Sequence, residues 1–193
     1  MEDKLDIPSF LHELHGTQSN WLNIFLTYLC ALLATLAVLK TTDSGLLLNW
    51  QKYVLIALSI DLGGGVFSNF TFATSKYYAD SFKRSMFFIT LHLLQPLVLS
   101  FIFPAHLLGI TFCSVYILTS ALLLNFIHQP EHKLSFAVFF TFAGFLSLQI
   151  NPLAFSSALQ LLFSIFLLKL SLAFAVPWHV LGSQKEKSQE HSL

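Results

Sequence analysis

Three ionisable residues lie inside long apolar stretches of the sequence, and they are the first candidates for chemistry. They are Asp61, His92 and Lys169. An ionisable group within a bilayer is costly, so it pairs with another group, faces a wet cavity or performs a function. Asp61 and His92 are the residues that can carry a proton here. Lys169 either reaches the membrane interface with its long stem or pairs with Asp61 or His92 at similar depth.

The surroundings of Asp61 are unusual for an apolar stretch, because glycines occupy residues 63–65. Asp61, Gly65 and Asn69 recur every four residues and therefore lie on one face of a helix. Three glycines weaken a helix interior by roughly 1 kcal/mol each relative to alanine. Two interpretations stay open: the small residues allow close helix packing, or the helix is locally unwound and lines a binding site.

His92 and Gln95 lie one turn apart, and Pro96 follows directly. Proline lacks a backbone N–H, so we expect a kink in this helix and a free carbonyl near that turn. Both polar side chains either join neighbouring helices by hydrogen bonds or act in a proton relay or ligand contact.

Histidines outside the apolar stretches form a second, weaker group of candidates. Their spacing matches no specific metal motif, and Pro130 disfavours a regular helix between His128 and His132. They are either solvated interfacial side chains or ligands for zinc or iron. The candidate metal ligands are His12, His15, His128, Glu131 and His132. No cofactor is indicated.

The composition indicates a solvent of lipid rather than water. Of 193 residues, 55% are hydrophobic and 10% are charged, whereas soluble domains carry about 25% charged residues. The net formal charge is zero and there is no basic block, so nucleic-acid binding is not supported.

Six apolar runs are each long enough to cross a bilayer. We therefore predict an all-α, polytopic integral membrane protein with six transmembrane helices in one bundle (residues 21–178). Proline residues at or just beyond the run boundaries agree with these limits, and the three Trp residues (Trp21, Trp50 and Trp178) fall at the predicted span ends. The second run can extend upstream through Leu46–Trp50, and Pro104–His106 and Asn151–Ala154 are predicted tight connections. The predicted spans are residues 21–39, 53–73, 85–103, 107–127, 134–150 and 155–176.

Lys and Arg residues predict the orientation. With the N-terminus inside, the cytoplasmic loops and tails receive seven of them, whereas Lys40 and Lys52 lie outside and Lys169 lies within a span. Both termini are therefore predicted to be cytoplasmic in a multi-pass protein of the cell membrane. Residues 1–20 form an interfacial segment in which Ile7, Phe10, Leu11 and Leu14 suggest a short helix, and residues 179–193 form a polar tail.

Three functions remain open at this stage. The favoured one is transport of a small solute or ion, including proton-coupled transport, with a site on helices 2, 3 and 6. The alternatives are an intramembrane metal-dependent enzyme acting on a lipid or other apolar substrate, and an accessory subunit without chemistry. The lipid bilayer is the one partner predicted directly, and a partner subunit or a second copy is compatible with each function. The candidate site residues are Asp61, Asn69, His92, Gln95 and Lys169.

Overall fold

The computed structural model describes residues 4–42, 47–150 and 155–180. It is 84% helical and contains six helices long and apolar enough to cross a bilayer. The predicted all-α six-helix architecture is confirmed, and the protein is a multi-pass membrane protein. Leu46, the connection at residues 151–154 and residues 181–193 of the polar tail lie outside the described residues.

The chain begins with a small folded segment rather than the single helix expected from the spacing of its apolar residues. Strand β1 (Leu5–Asp6) pairs antiparallel with β2 (Gln18–Ser19). Between them lie a 3-10 turn (Ser9–Leu11) and helix α1 (His12–His15). The expected helix is therefore limited to one turn, because the strand pairing of Leu5 with Ser19 brings the two ends of the segment together.

Six spans follow, and a short helix, α4 (Phe72–Ala79), connects the second span to the third. The third and sixth spans each consist of two consecutive helical pieces. The pieces in chain order are α2 (Trp21–Thr41), α3 (Asn49–Phe70), α5 (Phe82–Leu91), α6 (Leu94–Ile102), α7 (Leu107–Phe126), α8 (Pro130–Ile150), α9 (Ser157–Leu167) and a π turn (Leu168–Phe174).

Polar side chains determine where several helices begin. Asn20 caps α2 by accepting a hydrogen bond from the Asn23 backbone N–H at 2.8 Å. Thr71 ends α3 and caps α4, accepting from the Thr74 N–H at 3.4 Å. The helix of the second span therefore ends at Phe70 rather than at residue 73, and α4 begins a new direction.

The third span breaks where the sequence predicts a kink. Helix α5 ends at Leu91, α6 begins at Leu94, and Pro96 lies in the first turn of α6. Since Pro96 has no N–H, the carbonyl of His92 has no partner at that position of the helix ladder. The tight connection after α6 is also present, as a 3-10 turn over Pro104–His106.

The sixth span is the centre of the bundle. Leu159, Phe163, Leu167 and Leu170 are all fully buried, whereas large apolar side chains on α8, such as Phe142, face outward. Outward apolar side chains suit contact with lipid, since no polar surface is needed there. The core therefore forms around α9 and the π turn that continues it.

Helix α3 passes through its three glycines without interruption. A Cβ atom at Gly63 would lie 2.9 Å from the Cys30 carbonyl oxygen and 3.3 Å from the Cα of Ala31. Such a close approach of α2 to α3 is possible only with small residues at the contact. The packing interpretation agrees with the structure, and the locally unwound helix is wrong.

Candidate polar intramembrane site

A cavity of about 280 Å³ lies between α2, α3, α5 and the sixth span. It runs from the N-terminal segment to the middle of α3. We call it the polar cavity. Its polar lining within the spans consists of Thr27, Tyr28, Asp61, Ser68, Asn69, His92 and Lys169.

Asp61 lies deep in the second span. It follows the start of α3 by twelve residues, which corresponds to about 18 Å along the helix axis. The face predicted from its spacing is observed, because Asp61, Gly65 and Asn69 all line the polar cavity. The carboxylate is therefore near mid-membrane and beside a cavity rather than at the interface.

Lys169 and Asp61 form an ion pair at the inner end of the polar cavity. The Nζ atom of Lys169 lies 2.9 Å from Oδ2 of Asp61 and 3.1 Å from its backbone carbonyl oxygen. Lys169 is 2% exposed, so the expectation that it simply snorkels to the interface is wrong, and the ion-pair alternative is observed. The Asp61 side chain is 52% exposed. The carboxylate is therefore the more exposed member of the pair, and Lys169 lies behind it in the cavity wall.

Two features of the backbone make room for the lysine. The first is Gly65, where a Cβ atom would collide with Lys169 Cε and would lie 2.8 Å from its Nζ. The second is the π turn, which contains Lys169 in its first half. A π turn widens the helix locally and is frequent at functional sites. The lysine side chain thus reaches Asp61 on α3 by passing Gly65, where any larger residue would block it.

His92 and Gln95 extend the polar groups onto the third span. Gln95 donates a hydrogen bond from Nε2 to Oδ2 of Asp61. The Nδ1 atom of His92 lies 2.7 Å from the Phe88 carbonyl oxygen. Because that oxygen can only accept, the hydrogen is on Nδ1, and Nε2 of the neutral ring is an acceptor. The break between α5 and α6 therefore lies between these two polar residues. His92 bonds the backbone of its own span, whereas Gln95 bonds Asp61 on α3.

Several buried polar atoms near the ion pair have no hydrogen-bond partner in the described part of the chain. Buried polar atoms are normally paired, and each one left unpaired costs about 1–3 kcal/mol. Because these atoms lie beside the polar cavity and bond no protein group, they can form hydrogen bonds with a bound ligand. The atoms are Ser68 Oγ, Asn69 Nδ2, His92 Nε2 and Gln95 Oε1.

The N-terminal segment closes over the end of the polar cavity. The Tyr78 hydroxyl donates to the Glu13 carbonyl oxygen at 3.0 Å, and Thr74 Oγ1 donates to the Leu14 carbonyl oxygen at 3.0 Å. Burial, followed by the nearby Glu13 carboxylate, raises the pKa of Tyr78 far above its usual value, so the hydroxyl remains a donor. Burial also lowers the pKa of His15, which lies beside Tyr28.

The five residues predicted as a binding site come together in the structure. Asp61, Asn69, His92 and Lys169 line the polar cavity, and Gln95 reaches it through its bond to Asp61. Their role in binding stays a prediction.

The metal candidates do not come together in the same way. Among the described residues, no group of three or more His, Cys, Asp or Glu side chains is placed to hold a metal ion. His12 instead has its Nε2 atom 2.7 Å from the Ile7 carbonyl oxygen. His15 Nε2 lies 3.5 Å from the Tyr28 hydroxyl. The other candidates, His128, Glu131 and His132, join no such set either.

Among the contributors to the polar cavity that sequence reasoning missed are Thr27, Ser68 and Tyr78. Ser68 gives no distinctive sequence signal, because serine is a common small residue at helix contacts within membranes. Thr27 carries no sequence signal, because a threonine in a helix usually bonds its own backbone, as this one does to the Asn23 carbonyl oxygen. Tyr78 belongs to the connection between two spans, and only the folding of that connection as α4 brings it to the cavity.

A larger and more apolar cavity of about 350 Å³ lies between α7, α8 and the sixth span. Its lining includes Phe112, Tyr116 and Leu167 and no charged residue. The polar chemistry of the spans is therefore concentrated in the smaller cavity.

The fold and the site together define a multi-pass helical membrane protein with a lysine–carboxylate pair inside its bundle. The chain matches no protein-family model, and no curated protein or solved structure matches it.

Proposed function

We propose that the protein is a transporter that carries a small solute through the polar cavity, with Asp61 as the group that couples movement to protons. The observation that carries the proposal is the Asp61–Lys169 pair, whose carboxylate is half exposed to a cavity in mid-membrane. A carboxylate in that position can exchange a proton or a ligand without unfolding the site. His92 on the third span and Glu13 and Tyr78 at the end of the cavity are the other titratable groups that face the pair.

The unpartnered polar atoms support a solute rather than a bare proton as cargo. Asn69 Nδ2 can donate a hydrogen bond and His92 Nε2 can accept one, and both are buried beside the cavity. A polar solute would satisfy them and recover the free energy that their burial costs. From the excess of Lys and Arg on one side, we also propose that both termini lie in the cytoplasm. We propose the cell membrane as the location.

The direct test uses purified protein in vesicles that contain the pH-sensitive dye pyranine. Amino acids, sugars, carboxylates and organic cations are added one at a time, and protein-free vesicles correct for leakage. We expect at least one solute to produce protein-dependent proton movement. Asp61→Asn should abolish this movement, and Asp80→Asn, which changes an aspartate outside the spans, should leave it intact.

A second variant keeps this test decisive if Asp61→Asn folds poorly. Asn69→Ala removes an unpartnered donor and leaves the ion pair in place. It should slow solute-driven proton movement and leave the melting temperature unchanged. Full activity in a well-folded Asp61→Asn protein, or no solute response in the unmodified protein, would overturn the proposal.

A purely structural pair is the second candidate, as expected for an accessory subunit of a larger membrane complex. The observation in its favour is that Lys169 bonds both the carboxylate and the backbone carbonyl of Asp61, which joins the sixth span to the second. A polar pair of this kind can hold helices together without chemistry.

A double-mutant cycle separates the two candidates. Asp61→Asn leaves a fully buried ammonium without its counter-charge and should cost about 3–5 kcal/mol, whereas Lys169→Met leaves a half-exposed carboxylate and should cost less. The double variant should recover much of the melting temperature under either candidate. Where the unmodified chain shows solute-driven proton movement, its return in the double variant means that the pair is structural. A stable but inactive double variant of that active chain means that Asp61 acts in transport.

A further inference from the structure

The polar cavity offers more hydrogen-bond acceptors than donors. Both hydrogen bonds to the Asp61 carboxylate, from Lys169 and Gln95, go to Oδ2, so Oδ1 receives neither of them. His92 Nε2 is a second acceptor, unpartnered and belonging to a side chain that is 4% exposed. Asn69 Nδ2 is an unpartnered donor on the same lining, and the unpartnered Ser68 hydroxyl can donate as well as accept. A ligand that donates hydrogen bonds fits this set better than one that accepts them.

The charges of the lining favour a cation. Glu13 lies at the interfacial end of the cavity and Asp61 at its inner end. Lys169 is the one Lys or Arg among the lining residues, and its charge is already paired with Asp61 behind the carboxylate. A ligand that enters past Glu13 therefore meets a carboxylate at both ends of the cavity. An anion would have to displace Asp61 from Lys169 to gain a counter-charge.

Aromatic rings complete the lining. The rings of Phe10 and Tyr28 are exposed at the interfacial end, and the Phe88 ring already lies 5.7 Å from the Lys169 ammonium. The face of an aromatic ring attracts a cation and also accommodates an apolar group. Carboxylates together with aromatic faces are the usual means by which proteins bind organic cations.

We propose that the polar cavity binds a small organic cation with N–H groups and an apolar body, of the ammonium or guanidinium class. Its N–H groups bond Asp61 Oδ1 and His92 Nε2, and its apolar body lies against Tyr28 and Phe10. The small cavity volume limits the ligand to about the size of one substituted ring. The inference that this ligand is transported rests on the proposed function. Its binding to the polar cavity can be tested independently.

The test compares probes that share a ring and differ in charge. Benzylguanidinium is permanently charged, benzyl alcohol is neutral and benzoate is anionic. Binding to the full chain in detergent is measured by isothermal titration calorimetry. We expect benzylguanidinium to bind about tenfold or more tightly than benzyl alcohol, as a charge-assisted hydrogen bond implies. Benzoate should not compete. Equal binding of all three, or a preference for benzoate, would overturn the proposal.

Variants assign the binding to the polar cavity. Asp61→Asn should weaken benzylguanidinium binding about tenfold or more, and His92→Phe should weaken it while keeping a ring at that position. Tyr28→Leu should weaken it about two- to fivefold, the size of an exposed cation–π contact. Phe112→Leu changes the apolar cavity instead and is the matched control. If Tyr28→Leu and His92→Phe both bind benzylguanidinium like the unmodified chain, the cation does not bind in the polar cavity.

Uptake of radiolabelled benzylguanidinium into vesicles separates this proposal from the transport function. Binding without uptake supports the cation site and overturns transport of this ligand class. Asp61-dependent movement of a neutral or anionic solute, together with no binding of benzylguanidinium, overturns the cation site and supports transport.

Discussion

At the scale of single residues, the unequal exposure of Asp61 and Lys169 determines how each one behaves. An ion buried without a partner costs several kcal/mol, and a partner offsets this only when the geometry is good and the remaining hydrogen bonds are made. Lys169 meets this condition with two bonds to Asp61. Asp61 has access to the cavity and so is less dependent on the lysine. The carboxylate is therefore the member of the pair that is free to change partner.

Two neighbouring glycines of α3 give a prediction in which one substitution is the control for the other. A Cβ atom at Gly65 would collide with Lys169, whereas one at Gly64 meets its nearest neighbours at 3.4–3.6 Å, an ordinary contact. Gly65→Ala should therefore lower the free energy of unfolding by about 1–3 kcal/mol, as overpacking does. Gly64→Ala should be neutral or should gain up to about 1 kcal/mol from helix propensity. Melting temperatures in detergent measure both, and equal values for the two variants would contradict the observed lysine position.

At the scale of elements, the N-terminal segment depends on a few backbone contacts for its position over the polar cavity. Gly16 ends α1 with φ +69°, a conformation that glycine adopts readily, and it lies directly against the backbone of Ala73. The carbonyl groups of Glu13 and Leu14 accept bonds from Tyr78 and Thr74. The backbone of the segment is thus bonded to α4, and His15 adds a contact to Tyr28 of the long helix α2. We expect this element to open before the spans do, because few hydrogen bonds attach it.

The pH dependence of this element follows from His15. Burial lowers the pKa of His15 below its ordinary 6.5, so the open segment binds a proton more readily than the closed one. The closed state is fully stabilised above pH 6.5, and its stability falls as the pH drops from 6.5 toward the folded pKa. The protection factors of amides in residues 4–19, which are corrected for the intrinsic pH dependence of hydrogen exchange, should therefore be lower at pH 5.5 than at pH 7.5.

His15→Gln provides the control for this prediction, because glutamine does not titrate in this range. The variant should lose part of the pH difference. His179, whose pKa burial also lowers, bonds Ser75 of α4 and would contribute the remainder. An unchanged pH difference in His15→Gln would show that another group controls the opening of the segment.

At the scale of the whole molecule, the asymmetry of positive charge predicts the orientation. Lys52 begins the second span and Asp80 follows α4. These two residues lie on opposite sides of the bilayer, because one helix of the second span separates them. From the Lys and Arg bias we predict that Asp80 lies on the cytoplasmic side.

Cysteine labelling tests this orientation. In a chain without Cys30 and Cys113, Lys52→Cys should react with a membrane-impermeant maleimide added to intact cells. Asp80→Cys should react only after the membrane is permeabilised. The permeabilised sample is the control for reactivity at both positions, and the opposite pattern in intact cells would reverse the orientation.

The sequence alone determined the six spans, the kink at Pro96 and the ionisable residues that lie within the spans. The length and apolar composition of each run, and the missing backbone N–H of Pro96, are local properties of the sequence. A bilayer also permits few structures other than spanning helices. The intramembrane candidates were also visible locally, because an ionisable residue in an apolar run is costly wherever it lies.

Only the tertiary structure decided which side chains meet. Whether Lys169 reaches the interface or pairs with Asp61 depends on the space at Gly65 and on the π turn, and neither is a property of the lysine's own segment. The polar cavity likewise needs Thr27 from α2 and Tyr78 from α4. Contacts between residues distant in sequence arise from how helices pack, and the alternation of polar and apolar residues along one helix does not encode them.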